Sequence, residues 1–153
     1  MPVFVSDVKL GAEKRKVVET ALKILAGIIK ADGCSFMLKH DDTDEIEIVV
    51  SGEESAEVAG KKLGIRVKVG ERIAGRCASE KKPFLIVGDI SHNQNFTHLK
   101  KYEDISSGLS VPAVKNGKVT GVLNAKKSAA KDILTQDNLE IAKVIADIIA
   151  EEF

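Results

Sequence analysis

The chain has 153 residues, which is enough to bury a hydrophobic core and predicts a single domain over residues 1–153. Lys and Arg number 23, and so do Asp and Glu, so no net charge favours nucleic acid or an anionic membrane as a partner. No stretch reaches membrane-spanning length, and Cys34 and Cys77 lack a pairing pattern, which indicates free thiols and a cytoplasmic location.

The first long pattern predicts an amphipathic helix over residues 8–31. Its apolar residues recur every three or four positions, with Lys and Glu between them. Asp32 and Gly33 are expected to end this helix, because glycine tolerates the left-handed conformation of a helix cap.

Two strands are predicted next, over residues 34–39 and 45–50, with a short acidic loop between them. In the second strand, Glu45 and Glu47 alternate with isoleucines. We therefore expect this strand to have one face in water and to lie near a sheet edge.

A series of short elements is predicted in the middle of the chain. They are a small helix, a strand, a second short helix and a brief strand, over residues 54–61, 65–69, 71–82 and 84–87. The stretch that follows, residues 88–107, carries two of the three histidines and many residues that hydrogen-bond to their own backbone. Loops of this length in compact domains are usually functional lids or binding loops, or else mobile, and we expect this one to cover a binding site.

Residues 107–127 predict a β-hairpin, because Asn116 and Gly117 supply the two positive-φ residues of a type I′ turn. Counting outward from the turn gives the register. The predicted pairs are Val114 with Val119, Ala113 with Thr120, Pro112 with Gly121, Val111 with Val122 and Leu109 with Asn124. The two predicted faces are Leu109, Val111, Ala113 and Val122 on one side and Pro112, Val114, Val119 and Leu123 on the other. Because Pro112 has no N–H, we expect either that the sheet opens near it or that the strand on its outer side ends there.

The last pattern predicts a helix that begins at Thr135, whose hydroxyl is a good N-cap with Asp137 in the first turn. Its apolar stripe includes Leu139 and Ile145. The order of elements predicts an α+β fold, with a central antiparallel sheet of about five to six strands and the two terminal helices packed on one face.

Four stretches give the chain a likeness to a known family. They are AGIIKADGCSFMLKHDD, VGERIAGRCASEKKPFLIVGD, SVPAVKNGKVTGVLNAKK and ILTQDNLEIAKVIADIIAEEF. With the hairpin pattern Val-Pro then Gly-Val-Leu as the most specific part, the chain resembles a GAF domain, the small-molecule sensor module of signalling proteins. The resemblance implies a pocket between the sheet, on one side, and residues 72–79 and 89–107 on the other. It also implies terminal helices that pair with those of a second copy.

Seven residues are expected to line that pocket. They are Arg72, Asp89, His92, Asn95, Phe96, Tyr102 and Ser110. Five of them belong to the long loop, where the alternative is that they cap the loop's own backbone. Arg72 and Arg76 are the candidates for contacting a phosphate, and the alternative for both is a solvated surface charge. His92 and His98 match no metal or haem ligand spacing, so no metal is expected.

The family also includes cyclic-nucleotide-binding members, bilin-binding members and free methionine-(R)-sulfoxide reductases. The nucleotide pattern survives at only two of five positions, and covalent bilin attachment needs a cysteine that the long loop lacks. In the reductases, one catalytic cysteine stands where this chain has Ala74, and a second lies in the long loop. Cys77 alone cannot both attack and resolve, so Cys77 and Cys34 are expected to be buried apolar residues without a catalytic role.

The sequence therefore predicts a non-catalytic sensory or regulatory domain, either a stand-alone protein or a piece of a larger signal transducer. It is expected to bind a small molecule, whose identity and any cofactor are not indicated, and to signal as a homodimer through its terminal helices. Nucleic acid, membrane and metal are not expected partners. The alternatives are a reductase-like enzyme, which the cysteine positions disfavour, and a domain that binds no ligand and only dimerises.

Overall fold

A computed structural model of the chain describes residues 1–5, 11–87, 105–128 and 132–153. The strands are β1 Val3–Val5, β2 Gly33–His40, β3 Glu45–Glu53, β4 Arg66–Lys68, β5 Phe84–Val87, β6 Ile105–Lys115 and β7 Lys118–Ser128. The helices are α1 Ala12–Ile29, α2 Ala56–Lys62, α3 Arg72–Glu80 and α4 Gln136–Ala150. Within these ranges the strands form one antiparallel sheet in the order β1-β3-β2-β7-β6-β5, with β4 paired to β3. The α+β class is confirmed, and β1 is an additional strand too short for the pattern to indicate.

The terminal helices α1 and α4 pack together on one face of the sheet, as predicted. Their buried stripes, which include Leu22 and Ile149, join Phe36, Val111 and Leu123 of the sheet in one apolar core. Thr135 is the N-cap of α4, and its side chain and that of Asn138 cap each other's backbone N–H groups.

A second apolar cluster covers the opposite face of the sheet. It contains Met37, Ile46, Ile48, Val67, Cys77, Ala78, Val119 and Val122. Helix α3 contributes Cys77 and Ala78, so this helix covers the sheet from the side opposite α1 and α4. Both faces of the central strands are therefore buried, which explains why these strands are apolar on both sides.

The β6–β7 hairpin has the predicted turn but not the predicted register. Asn116 and Gly117 have φ angles of 54° and 76°, and Val114 lies opposite Val119. Beyond this pair, Ala113 lies opposite Gly121, because Thr120 is an extra residue in β7 that forms a β-bulge. The Thr120 hydroxyl donates a hydrogen bond of 3.1 Å to the carbonyl oxygen of Ala113.

Because of the bulge, the later residues of β7 lie on the opposite faces from those predicted. Val122 packs in the second cluster and Leu123 in the core under α1 and α4, the reverse of the prediction. Asn124 lies opposite Ser110 instead of Leu109. The expectation for Pro112 is confirmed, because β5 begins opposite Ser110 and runs away from the proline.

The prediction that β3 lies near a sheet edge is confirmed, since it is second in the strand order, but the prediction that one of its faces lies in water is wrong. β3 pairs with β2 along one edge and with both β1 and β4 along the other. Glu47 lies opposite Arg66 of β4 and is only 5% exposed, and its carboxylate lies 2.9 Å from both Arg66 Nη2 and His40 Nε2.

The predicted end of α1 is also corrected. Lys30, with a φ of 55°, adopts the left-handed cap conformation, and Gly33 already belongs to β2. Gly33 instead leaves room for the side chains of Glu53 and Lys126. The predicted beginning of this helix, at residues 8–10, lies outside the described residues.

Gly121→Ala is expected to lower the free energy of unfolding by about 2 kcal/mol. An added Cβ would collide with the carbonyl oxygen of Met37 and the ring of Phe36. Gly27→Ala is the matched control, because Gly27 is exposed in α1 with nothing within 4 Å of an added Cβ. We expect that variant to be more stable by about 0.5–1 kcal/mol. Urea denaturation measures both, and a neutral Gly121→Ala would contradict the packing of the hairpin on β2.

Candidate functional site

A cavity of about 100 Å³ lies between the second face of the sheet and helices α2 and α3. Its walls are mainly apolar and include Met37, Ile48, Val67 and Ile73. The polar groups that line it fall into two sets, one of uncharged side chains and one of charged side chains. The position agrees with the pocket that the resemblance implied, at the side bounded by the sheet and α3.

The uncharged set is a line of hydrogen-bonded side chains across three strands. Ser110 of β6 donates a hydrogen bond of 2.6 Å to Asn124 Oδ1 of β7, and Asn124 Nδ2 donates one of 3.2 Å to Ser35 Oγ of β2. We call these three residues the polar ladder. Ser51 lies opposite Ser35 in β3, and its buried hydroxyl makes no hydrogen bond within the described part of the chain. The ladder exists because the bulge at Thr120 turns Asn124 toward the cavity.

The charged set joins α2, β3 and β7. Glu53 is 5% exposed, and its Oε1 contacts Lys62 Nζ and lies 3.1 Å from Lys126 Nζ. Gly33 lies opposite both Glu53 and Lys126 in the sheet. A Cβ on Gly33 would stand 2.5 Å from Lys126 Cε and 2.6 Å from Glu53 Oε2, so glycine makes room for this ion cluster. We refer to Glu53, Lys62 and Lys126 as the ion cluster.

Helix α3 is placed over the cavity by its close approach to the end of β4. Gly75 permits this approach, because an added Cβ would collide with the carbonyl oxygen of Lys68. The N–H of Gly70 also donates a hydrogen bond of 2.8 Å to the carbonyl oxygen of Gly75. Arg72 begins α3 and lines the cavity with a left-handed φ of 57°. That conformation costs a non-glycine residue about 1 kcal/mol, and such residues concentrate at functional sites.

Of the seven predicted site residues, Arg72 and Ser110 line the cavity. Asp89, His92, Asn95, Phe96 and Tyr102 lie in residues 88–104, outside the described part of the chain, and their roles stay predictions.

The other arginine of α3 has a different environment. Arg76 is exposed, lies 3.1 Å from Glu80 Oε2 and stands over the ring of Phe84 at 5.2 Å. Arg76 is therefore a surface charge and does not line the cavity.

Sequence reasoning missed the ion cluster and the role of Asn124. One local signal was available, since Asn124 and Lys126 are two residues apart and therefore share a face of β7. No local signal connects them with Glu53 and Lys62, which lie more than sixty residues earlier. Within the described ranges, no group of His, Cys, Asp and Glu residues has an arrangement that could hold a metal ion.

Both thiols are buried and have raised pKa values. The Cys34 sulfur contacts the carbonyl oxygen of Leu22 at 3.7 Å, and burial, together with the charge of Glu53, raises its pKa to about 12. Burial and the charge of Glu80 likewise raise the pKa of Cys77 to about 12. Ala74, at the position expected for a reductase cysteine, lines the cavity.

The helices of the described ranges include none long and apolar enough to cross a membrane.

Paired terminal helices on one face of an antiparallel sheet, and a partly polar cavity under short helices on the other, define the fold of a class of regulatory and sensor domains. The family profile of the GAF domain matches residues 11–151, so the chain belongs to the GAF domain family. A search of curated proteins found no matching sequence.

Solved structures share the fold at low sequence identity. The GAF domain of an Acinetobacter phosphoenolpyruvate-protein phosphotransferase is 18% identical, with a TM-score of 0.70 over 91% of this chain and 89% of that one. A GAF domain/HD domain protein from Geobacter sulfurreducens is 11% identical, with a TM-score of 0.76 over 90% and 89%. The free methionine-R-sulfoxide reductase from Neisseria meningitidis, solved with its substrate, is 19% identical, with a TM-score of 0.70 over 93% and 80%.

Both thiols are expected to resist a disulfide exchange reagent in the folded protein at about pH 8. With a pKa of about 12, only about one thiol in ten thousand is ionised at that pH, and the thiolate is the reactive form. The fraction rises with pH toward the raised pKa, so the rate should still increase above pH 9. Denatured protein should react at both cysteines. A fast reaction of the folded protein that Cys77→Ala abolishes would contradict this environment.

Proposed function

We propose that this chain is a non-catalytic sensory domain whose cavity binds a small molecule. The observation that carries this proposal is the polar ladder from Ser35 to Ser110, which lies beside the mainly apolar walls of the cavity. Proteins orient small ligands with a few well-placed polar groups between apolar walls. Membership in a family of regulatory domains supports the same function.

The sheet offers a direct connection between the cavity and the terminal helices. Ser110 lines the cavity, whereas its neighbour Val111 packs in the core that contains α4. Leu123 and Asn124 are related in the same way on β7. We propose that a ligand which shifts β6 and β7 thereby shifts α4, because close-packed interiors transmit displacements.

A reductase function is the enzymatic alternative, and the similarity to the Neisseria meningitidis enzyme is its support. The thiol environment argues against it. Cys77 and Cys34 are both buried with pKa values of about 12, whereas a catalytic thiol needs a lowered pKa and access to its substrate. We therefore propose no catalytic role for either thiol. Two buried free cysteines also support a cytoplasmic location.

The outer surface of the terminal helices supports a homodimer. Four large apolar side chains about half exposed lie there, each pair four residues apart on its helix: Ile24 and Ile28 on α1, and Val144 and Ile148 on α4. Residues four apart lie on the same side of a helix, so each helix presents a short apolar stripe. Stripes on two adjacent helices fit a self-complementary interface between two copies. We propose that this surface of α1 and α4 is the dimer interface.

Ala74→Phe is expected to abolish small-molecule binding, because the ring would occupy the cavity that Ala74 lines. The matched control is Ala56→Phe, the same change at an exposed position of α2. Native mass spectrometry of the purified proteins, supplemented with a metabolite library, measures binding. The wild type and the control should carry a small-molecule adduct, and Ala74→Phe should not. If no adduct forms on the wild type, the ligand-free dimerisation module becomes the better account.

The double change Ile28→Glu and Ile148→Glu is expected to convert the dimer into a monomer, because it buries like charges in the proposed interface. Ile133→Glu introduces one such charge at an exposed apolar residue that precedes α4 and lies on neither stripe, and it is the control. Sedimentation equilibrium at micromolar concentration should find dimers for the wild type and the control, and monomers for the double variant. A monomeric wild type would exclude the dimer.

A further inference from the structure

The side-chain amide of Asn124 is held between two hydroxyls on opposite sides of it. Its oxygen accepts the hydrogen bond of 2.6 Å from Ser110 of β6, and its nitrogen donates the one of 3.2 Å to Ser35 of β2. The shorter contact suits an O–H···O bond and the longer one an N–H···O bond, which agrees with this orientation of the amide. Because β7 lies between β6 and β2, the plane of the amide runs across the strands.

Each end of this amide keeps one unused hydrogen-bonding position. An amide side chain has two N–H donors on its nitrogen and two lone pairs on its oxygen, all close to one plane. Ser110 and Ser35 occupy the positions that point outward along the sheet, and Asn124 makes no other side-chain hydrogen bond among the described residues. The inner N–H and the inner lone pair therefore lie side by side, and they face the cavity that Asn124 lines.

The two serines extend this free edge of the amide in both directions. Ser35 accepts a hydrogen bond from Asn124 and donates none among the described residues, so its proton is a second donor beside the free N–H. Ser110 donates its proton to Asn124, so its oxygen is a second acceptor beside the free lone pair. Both serines are buried and line the cavity. One half of the polar ladder therefore offers donors to a ligand, and the other half offers acceptors.

The cavity limits the size of the part of the ligand that it encloses. A cavity of about 150 Å³ holds benzene, so this one of about 100 Å³ encloses about two-thirds as much, or about four non-hydrogen atoms. A carboxamide with one methyl group has this size. Its methyl group fits against the apolar wall that includes Met37, Ile48 and Val67.

We propose that the ligand carries a primary carboxamide, which pairs edge to edge with the side-chain amide of Asn124. The carbonyl oxygen of the ligand accepts from Asn124 Nδ2 and Ser35 Oγ, and its amino group donates to Asn124 Oδ1 and Ser110 Oγ. The inference rests on the proposed function, because it assigns a ligand chemistry to the same cavity. A carboxylate of equal shape has no donor for the acceptor half of the ladder, and an amidinium has no acceptor for the donor half.

NMR titration of the isotope-labelled full chain at neutral pH tests the proposal with acetamide, acetone, acetate and acetamidinium. These four probes share one planar shape and size. We expect acetamide to bind with a dissociation constant of about 1 mM and to shift the side-chain N–H signals of Asn124. Acetone should bind about fivefold more weakly, because it has no donor. Acetate and acetamidinium should bind about tenfold or more weakly, because each places like groups against one half of the ladder.

Two results would overturn the carboxamide assignment while leaving the sensory cavity standing. They are equal binding of acetamide and acetone, and tighter binding of either ion than of acetamide. Absence of acetamide binding well above the expected dissociation constant would also overturn the assignment. The native mass spectrum then decides the sensory function separately.

Asn124→Asp is expected to reverse the selectivity of the site. Its carboxylate accepts from Ser35 and Ser110, so the edge that faces the cavity carries acceptors alone. Acetamide should bind about tenfold or more weakly, and acetamidinium, which carries only donors, should become the preferred probe. Asn116→Asp is the matched control at the exposed turn, where both residue types suit the left-handed conformation, and it should change neither. A variant at Asn124 that circular dichroism shows to be folded and that still prefers acetamide would refute the assignment.

Ser35→Ala tests the donor half of the ladder and decides the matter if Asn124→Asp does not fold. It removes the second donor and should weaken acetamide binding about fivefold. Ser51→Ala is its matched control, because Ser51 lies opposite Ser35 on β3, is also buried and is not among the residues that line the cavity. The control should bind acetamide like the wild type. Unchanged acetamide binding in folded Ser35→Ala protein would contradict the proposed position of the carbonyl oxygen between Asn124 and Ser35.

Discussion

The bulge at Thr120 is the constraint on which both the core and the cavity depend. Side chains alternate between the faces of a strand, so one extra residue moves every later side chain of β7 to the other face. Without the bulge, Leu123 would point to the cavity and the amide of Asn124 to the apolar core under α1 and α4. A buried amide without partners costs about 1–3 kcal/mol. With the bulge, Leu123 joins the core and Asn124 bonds to Ser35 and Ser110.

The ion cluster is the second unusual feature of the cavity. Buried ion pairs seldom stabilise a fold more than apolar residues of the same size would, because desolvation offsets the attraction of the charges. In this chain, however, the absence of a side chain at Gly33 leaves room for the ion cluster. The cluster also joins α2 to two strands. Stability alone does not account for such an arrangement.

Patterns within one element predicted most of the fold. The amphipathic helices, the Asn116-Gly117 turn and the cap at Thr135 all depend on neighbours in sequence, and the structure confirms each. The failures depend on distant contacts. Glu47 is buried beside Arg66 of β4 and His40 of β2, and Gly33 is needed by side chains that come from two other strands.

The candidate site likewise contains some residues that the sequence predicts and others that only the tertiary fold brings together. Arg72 and Ser110 were identified through the resemblance to a family, and both line the cavity. The ion cluster combines the end of β3, the end of α2 and the last part of β7, which only the tertiary fold brings together. Threonine is common in regular strands, so the sequence at Thr120 gives no sign of a bulge. Counting residues from the turn therefore cannot predict on which face of the sheet the side chain of Asn124 lies.

A crystal structure of the protein purified from its native host tests the central claim most directly. The account predicts a small molecule in the cavity between the sheet and α3. That molecule should contact the polar ladder, and Asn124 should still bond to Ser110. A cavity that holds only water, or one closed by side chains collapsed onto the polar ladder, would contradict the claim that this domain senses a small molecule.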